Sequence, residues 1–111
     1  MNHEKLDCYR ELIKVSKEIG GQMNGWPRGS GYLIDQIRRA MSSAVLNLAE
    51  GNGKQGQPRE RRRFFRISMG SIAEVAAALD LANAFSLIPA RVQEENKAIL
   101  RAAYNRIGKL P

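Results

Sequence analysis

The stretch QIRRAMSSAVLNLAEG, residues 36–51, decides the fold because it carries a helical core pattern. At about 100° per residue, eight apolar side chains of this stretch and of the residues just before it fall within about 140° of one another. These core positions are Leu33, Ile34, Ile37, Ala40, Met41, Ala44, Val45 and Leu48. An apolar stripe of this width predicts an amphipathic helix packed on a protein core.

A second stripe, made of polar residues, runs beside the apolar one. Its members lie three or four residues apart and therefore within about 80° of one another. They are Gln36, Arg39, Ser43, Asn47 and Glu50. Serine and asparagine are poor residues for the middle of a helix, and the helix dipole disfavours a carboxylate in the last turn. The pattern favours a hydrogen-bonded network between helices or subunits. A surface for a ligand or a nucleic acid is the alternative that stays open.

Turn-forming residues divide the rest of the chain into helical segments. They cluster at 24–31 and 51–58, and a shorter break lies at 87–89. The expected helices cover roughly residues 4–22, 31–50, 58–86 and 89–107. We expect Gly51 just after the second helix, and Pro58 and Pro89 in first turns. Four helices with short connections predict a single all-α domain over residues 1–111, an antiparallel up-down four-helix bundle.

The composition indicates a basic protein of the cytoplasm. The formal net charge is +7, which suggests an acidic partner, most simply a phosphate backbone. The single cysteine, Cys8, cannot form an internal disulfide. No apolar run approaches the ~20 residues of a membrane span, and the first residues lack the apolar region of a secretory signal.

Positive charge concentrates in residues 54–66, which hold six cations and one acid, a net of +5. Five of these cations form the predicted nucleic-acid-binding site: Lys54, Arg59, Arg62, Arg63 and Arg66. The planar fork of arginine suits phosphate, so we expect contacts to a nucleic-acid backbone that read little base sequence. A solvated face with paired carboxylates is the alternative interpretation.

Antiparallel packing of the second and third helices predicts two ion pairs between them. Glu50 is expected to pair with the arginine cluster, and Arg39 with Glu74. The same register places Ser43 and its small neighbours opposite the small residues of the third helix. Among these is Gly70, which costs about 1 kcal/mol in a helix relative to alanine and therefore suggests a close approach.

The residues offer little for catalysis or metal binding. His3 is the single histidine of the chain, and one histidine with one cysteine cannot build a typical zinc site. A Ser–His–acid set would depend on His3. We therefore expect a protein that is not an enzyme and needs no metal or other cofactor. Leu46 and Leu81 fall on the otherwise polar sides of their helices, which fits a contact between subunits.

Two ordered motifs resemble the bacterial 23S rRNA intervening-sequence protein family. The first runs from Leu33 to Lys54 and the second from Phe65 to Glu74. The matching signature positions are Gln36, Arg39, Ser43, Asn47, Glu50, Gly51, Gly70, Ser71 and Glu74. The chain departs from the family pattern at Ser68, where alanine is usual, and in the more basic run 61–63.

The resemblance implies a four-helix bundle that assembles into a homopentameric ring. It also implies a relation in architecture to the accessory variability determinant of diversity-generating retroelements, a basic pentamer that binds nucleic acid and a reverse transcriptase. Together with the residues, it favours a non-enzymatic protein that binds nucleic acid, RNA more than DNA, with rRNA as one target. The alternative is a protein–protein adaptor for an acidic protein partner, for example in a reverse transcriptase accessory role.

Overall fold

The computed structural model describes residues 2–111, apart from the side chains of Glu4 and Lys5. Within this range the chain forms four α-helices and no strand, as the sequence predicts. Their bounds are α1 Asp7–Met23, α2 Gly31–Asn52, α3 Pro58–Ala84 and α4 Ala90–Gly108. A short 3₁₀ helix, Asn2–Lys5, precedes them.

All four helices contribute side chains to one elongated core in a molecule of 46 × 23 × 21 Å. Neighbouring helices run antiparallel: Glu11 near the start of α1 meets Arg106 near the end of α4, and Asp80 of α3 meets Lys97 of α4. The apolar stripe of α2 is buried as predicted, except that Ile34 and Val45 are only partly buried. This arrangement is a four-helix bundle.

All four helices differ from the expected bounds by one to three residues at one end or both. The α1 helix begins at Asp7, because residues 2–5 form the separate 3₁₀ turn. The α2 helix continues through Asn52, so Gly51 lies inside it. Pro89 has an extended backbone and is the N-cap of α4, one position before the expected first turn.

The α3 helix ends in a Schellman motif. The Leu87 N–H donates to the Ala82 carbonyl at 2.8 Å, and the Ser86 N–H donates to the Asn83 carbonyl at 2.9 Å. Ser86 has a φ of 62°, the left-handed conformation that this motif requires and that glycine usually provides. The tight turn explains why α3 ends at Ala84.

None of the helices in residues 2–111 is long and apolar enough to cross a lipid bilayer.

Candidate nucleic-acid interface

The α2–α3 loop is fixed to the carboxyl end of α2, whose last four carbonyl groups need hydrogen-bond donors from outside the helix. The Gly53 N–H donates to the carbonyls of Ala49 and Glu50, and the Lys54 N–H donates to that of Gly51, all at 3.1 Å. The Gln55 side chain donates to the Asn52 carbonyl at 3.2 Å. Each of the four carbonyls therefore accepts a hydrogen bond, and the glycine-rich loop is tied down at its start.

Gly51 lets the start of α3 pack directly on the backbone of α2. A Cβ atom at Gly51 would lie 2.7 Å from two carbons of the Phe65 ring and 3.1 Å from Cβ of Phe64. These distances leave no room for a side chain. Gly51 is buried, and so is Phe65.

Arg61, in the first turn of α3, connects the carboxyl end of α2 to Pro111. Its Nη1 donates to the carbonyls of Gly51 and Asn52 at 3.0 and 3.2 Å, and its Nε donates to the Pro111 carbonyl at 2.7 Å. The guanidinium stacks over the Phe65 ring at 4.8 Å from the centroid. A cation at this place also complements the negative end of the α2 dipole.

Lys54 and Arg63, two members of the predicted site, lie around one aromatic ring. The Lys54 ammonium lies 5.7 Å from the centroid of Phe64, and the Arg63 guanidinium 4.5 Å from it. Both cations also have carboxylate partners. Lys54 lies 3.5 Å from Glu50, and Arg63 donates two hydrogen bonds to Glu60 at 3.3 Å. The hydrogen bonds from Arg63 lower the pKa of Glu60 below its ordinary value.

The three remaining members of the predicted site, Arg59, Arg62 and Arg66, form what we call the arginine stripe. Their side chains are exposed and lie on one side of the first turns of α3, about 60° apart at most. Across the described side chains, none of the three forms an ion pair or a hydrogen bond. Their donors are therefore open to an external anion.

The two ion pairs predicted between α2 and α3 are wrong. Glu50 pairs with Lys54, four residues along, and among the described side chains it has no arginine partner. Glu74 accepts a hydrogen bond from the Gln36 side chain, and Arg39 does not reach it. Arg39 lies about 60° further round α2 than Gln36, away from α3, and its side chain is exposed.

The predicted polar network is present at the α2–α3 contact, although it involves fewer residues than expected. The Ser71 hydroxyl donates to that of Ser43 at 2.7 Å, and the Asn47 amide donates to the same hydroxyl at 3.1 Å. The Gln36 side chain adds a further polar link across the contact by donating to Glu74. The bonds among Ser43, Asn47 and Ser71 are partly buried, whereas Gln36 and Glu74 are exposed.

The close approach of α2 and α3 occurs at Ser68 and Gly51, and Gly70 takes no part in it. Ser68 is fully buried and donates to the Ala44 carbonyl at 2.6 Å. Gly70 is exposed, and a Cβ atom built there would meet nothing within 4 Å. The packing reason expected for Gly70 is therefore absent within one protomer.

Large apolar side chains are exposed on α2 and α3. Leu46 retains 66% of its accessible surface and Leu81 retains 48%, as the sequence predicts. Ile67 at 39% and Phe85 at 52% add to them on α3 and at its end. One exposed leucine is unremarkable, but four such side chains on adjacent elements form apolar surface that a partner could cover.

The side chains described here contain no group of three histidine, cysteine or acidic residues placed to hold a metal ion. Burial raises the pKa of the Cys8 thiol.

Fold and site together define a class: a basic four-helix bundle with exposed arginines at one end. The family model described as 23S rRNA-intervening sequence protein matches residues 4–110 of the chain. The chain therefore belongs to that family, and the match extends the resemblance over α1 and α4. A comparison with curated proteins finds no match.

Sequence reasoning missed the role of Arg61, which it grouped with the other cations of residues 54–66. A signal was present, since Arg61 follows three residues after Pro58 and falls on the buried side of α3, away from the arginine stripe. A helical wheel treats α3 alone, however, and cannot place the carbonyls of α2 beside it.

Proposed function

We propose that this protein binds RNA through the phosphate backbone, without catalysing a reaction. The observation that carries the proposal is the arginine stripe: three exposed guanidinium groups on one helix face, with no carboxylate partner among the described side chains. Arginine donates two parallel hydrogen bonds to phosphate, and such contacts dominate sequence-independent affinity.

Charge distribution supports the same proposal. Residues 54–66 carry +5 of the total of +7, so the cations are concentrated at the end of the bundle where α2 meets α3. Lys54 and Arg63 border the stripe and add positive potential, although each also pairs with a carboxylate. The family description refers to sequences that intervene in 23S rRNA, which makes rRNA the first probe to test and RNA the favoured polymer over DNA.

We also propose that the protein acts as a homo-oligomer in the cytoplasm, and by its resemblance as a pentameric ring. Leu46, Leu81 and Ile67 supply apolar surface for the contact between copies. A closed ring would bring several arginine stripes onto one nucleic acid. Individually weak phosphate contacts then add through high effective concentration.

The experiment compares two triple variants that remove the same charge. In Arg59/Arg62/Arg66→Ala the stripe is lost; in Arg28/Arg38/Arg91→Ala three exposed arginines outside residues 54–66 are lost. Binding of a fluorescent, structured fragment of 23S rRNA is measured at low salt. The proposal predicts at least about tenfold weaker binding for the stripe variant and little change for the control.

Competition with heparin separates RNA binding from attraction to any polyanion. We expect the rRNA fragment to be retained at heparin concentrations of equal charge. An equal loss of affinity in both triple variants would contradict the proposal. So would displacement of the rRNA fragment by heparin as easily as by unlabelled RNA. Either result would favour an adaptor for an acidic protein.

A further inference from the structure

Arg61 differs from the arginine stripe because two of its three nitrogens donate to carbonyl groups of the protein. Nη1 serves two carbonyls at the end of α2, and Nε serves the carbonyl of Pro111. One face of the guanidinium is covered by Phe65, and the side chain is only partly exposed. A phosphate could take these donors only by displacing the carbonyls of α2 and Pro111 from Arg61.

The same contacts fix the basic residues on both sides of the loop. The Gly51 carbonyl accepts from Arg61 and also from the main-chain N–H of Lys54, so both groups are held at one atom. Arg62 follows Arg61 directly and lies in the first turns of α3. Anchoring Arg61 therefore fixes the rotation of α3 that turns Arg62 and the rest of the stripe outward.

Gly51 and Phe65 make this anchor possible. Because Gly51 has no Cβ atom, the Phe65 ring lies on the α2 backbone and offers its face to Arg61. Lysine could supply the charge at position 61, but it lacks the planar fork and the stacking surface. The arrangement thus requires arginine for its shape as well as its charge.

We infer that Arg61 is a positioning residue for RNA binding: it holds the 53–57 loop and the start of α3 so that the arginine stripe is presented in one arrangement. This inference rests on the proposed function. Its physical basis is preorganisation, because a loop that is already ordered loses less conformational entropy when the ligand binds.

The test uses Arg61 and its neighbour Arg62 as a matched pair, each replaced by lysine and by alanine. Two quantities are measured for every variant: the slope of log affinity against log salt for the rRNA fragment, and amide hydrogen exchange of residues 53–57 without RNA. Temperatures are chosen at which circular dichroism finds every variant folded.

Replacing a residue that contacts phosphate should change the slope of log affinity against log salt. Arg62→Ala is expected to reduce it by about 0.7–0.9, the value of one phosphate contact, and Arg62→Lys to keep it. Arg61→Ala and Arg61→Lys should both keep the wild-type slope, lower the affinity about fivefold or more through the lost preorganisation, and speed exchange in the loop.

Two results would overturn the inference. Arg61→Ala could reduce the slope as Arg62→Ala does, which would make Arg61 a phosphate contact; or Arg61→Lys could retain wild-type affinity and exchange. If the wild-type protein binds no RNA, the proposed function fails. The exchange measurement then decides by itself whether Arg61 orders the loop.

Discussion

The Phe65 ring occupies the space that a side chain at Gly51 would need. Two ring carbons lie 2.7 Å from the position of a Cβ atom at Gly51, a distance that real contacts do not reach. Gly51 lies inside the α2 helix. Glycine is therefore required there for a close approach between α2 and α3, and not for a turn.

Replacing Gly51 by alanine should destabilise the protein. The added methyl group must push Phe65 or the α2 backbone aside, which costs typically 1–3 kcal/mol and outweighs the helix propensity that alanine gains. Urea unfolding of the variant is expected to give a free energy of unfolding lower by about 1–2 kcal/mol. Unchanged or higher stability would contradict the packing described for Gly51.

Gly70→Ala should have the opposite effect. Gly70 lies in the middle of α3, is exposed, and has open space where a Cβ atom would stand. The substitution is expected to raise the free energy of unfolding by about 1 kcal/mol, the difference in helix propensity between the two residues. It also serves as the matched control for Gly51→Ala. A loss of stability in dilute protein would show that Gly70 is packed against something.

Gly51 and Gly70 show which features of the fold can be predicted from the sequence and which cannot. The periodicity of residues 33–48 predicts the core face of α2 correctly, and the four helices follow from the breaks between them. Gly70 was expected at the close approach between α2 and α3, but Gly51 is the glycine that lies there. A helical wheel records the direction of a residue and not the distance to the next helix. That distance depends on the Phe65 ring and the buried Ser68 hydroxyl.

The candidate site was predicted in the same partial way. The exposed arginines could be found from charge and spacing alone. The partner of Glu74 could not be predicted, because Gln36 and Arg39 both lie within about one turn of Glu74 in any register estimated from loop length. Which of them reaches Glu74 depends on a rotation of about 60° about the α2 axis.

Leu46→Asp and Leu81→Asp should separate assembly from folding. Both side chains are exposed in the protomer, so neither substitution removes core contacts. We expect the helical circular dichroism to stay unchanged and the native mass to fall from that of an assembly, five copies of the 12.4 kDa chain by resemblance, to that of a monomer. An assembly of unchanged mass in both variants would place the subunit contact elsewhere.

Asp80 should make the stability depend on pH in the acid range. It accepts hydrogen bonds from Lys97 at 2.7 Å and Gln93 at 2.8 Å, and the bond from Lys97 is the main cause that lowers its pKa. Folded Asp80 therefore binds a proton less readily than unfolded Asp80. Its contribution is complete above the ordinary aspartate pKa of about 3.9 and is lost as the pH falls through the lowered value.

Urea unfolding at neutral and at acid pH checks this prediction. Asp80→Asn should lower the free energy of unfolding at pH 7 by up to about 1 kcal/mol, as expected for an exposed ion pair, and by less at low pH. Glu94→Gln is the control, since Glu94 has no ion pair among the described side chains. A difference between wild type and Asp80→Asn that grows on acidification would contradict the assignment.

The most direct test of RNA binding by the arginine stripe is to reverse the charge of the stripe and to measure the mass of the complex. Arg59/Arg62/Arg66→Glu and the wild-type protein are each mixed with the structured rRNA fragment, and native mass spectrometry records protein and RNA in the same sample. We expect the variant to keep the mass of the wild-type assembly and to carry no RNA, because three phosphate contacts become repulsions. A variant that binds the fragment as well as the wild type at equal salt would contradict RNA binding by the stripe.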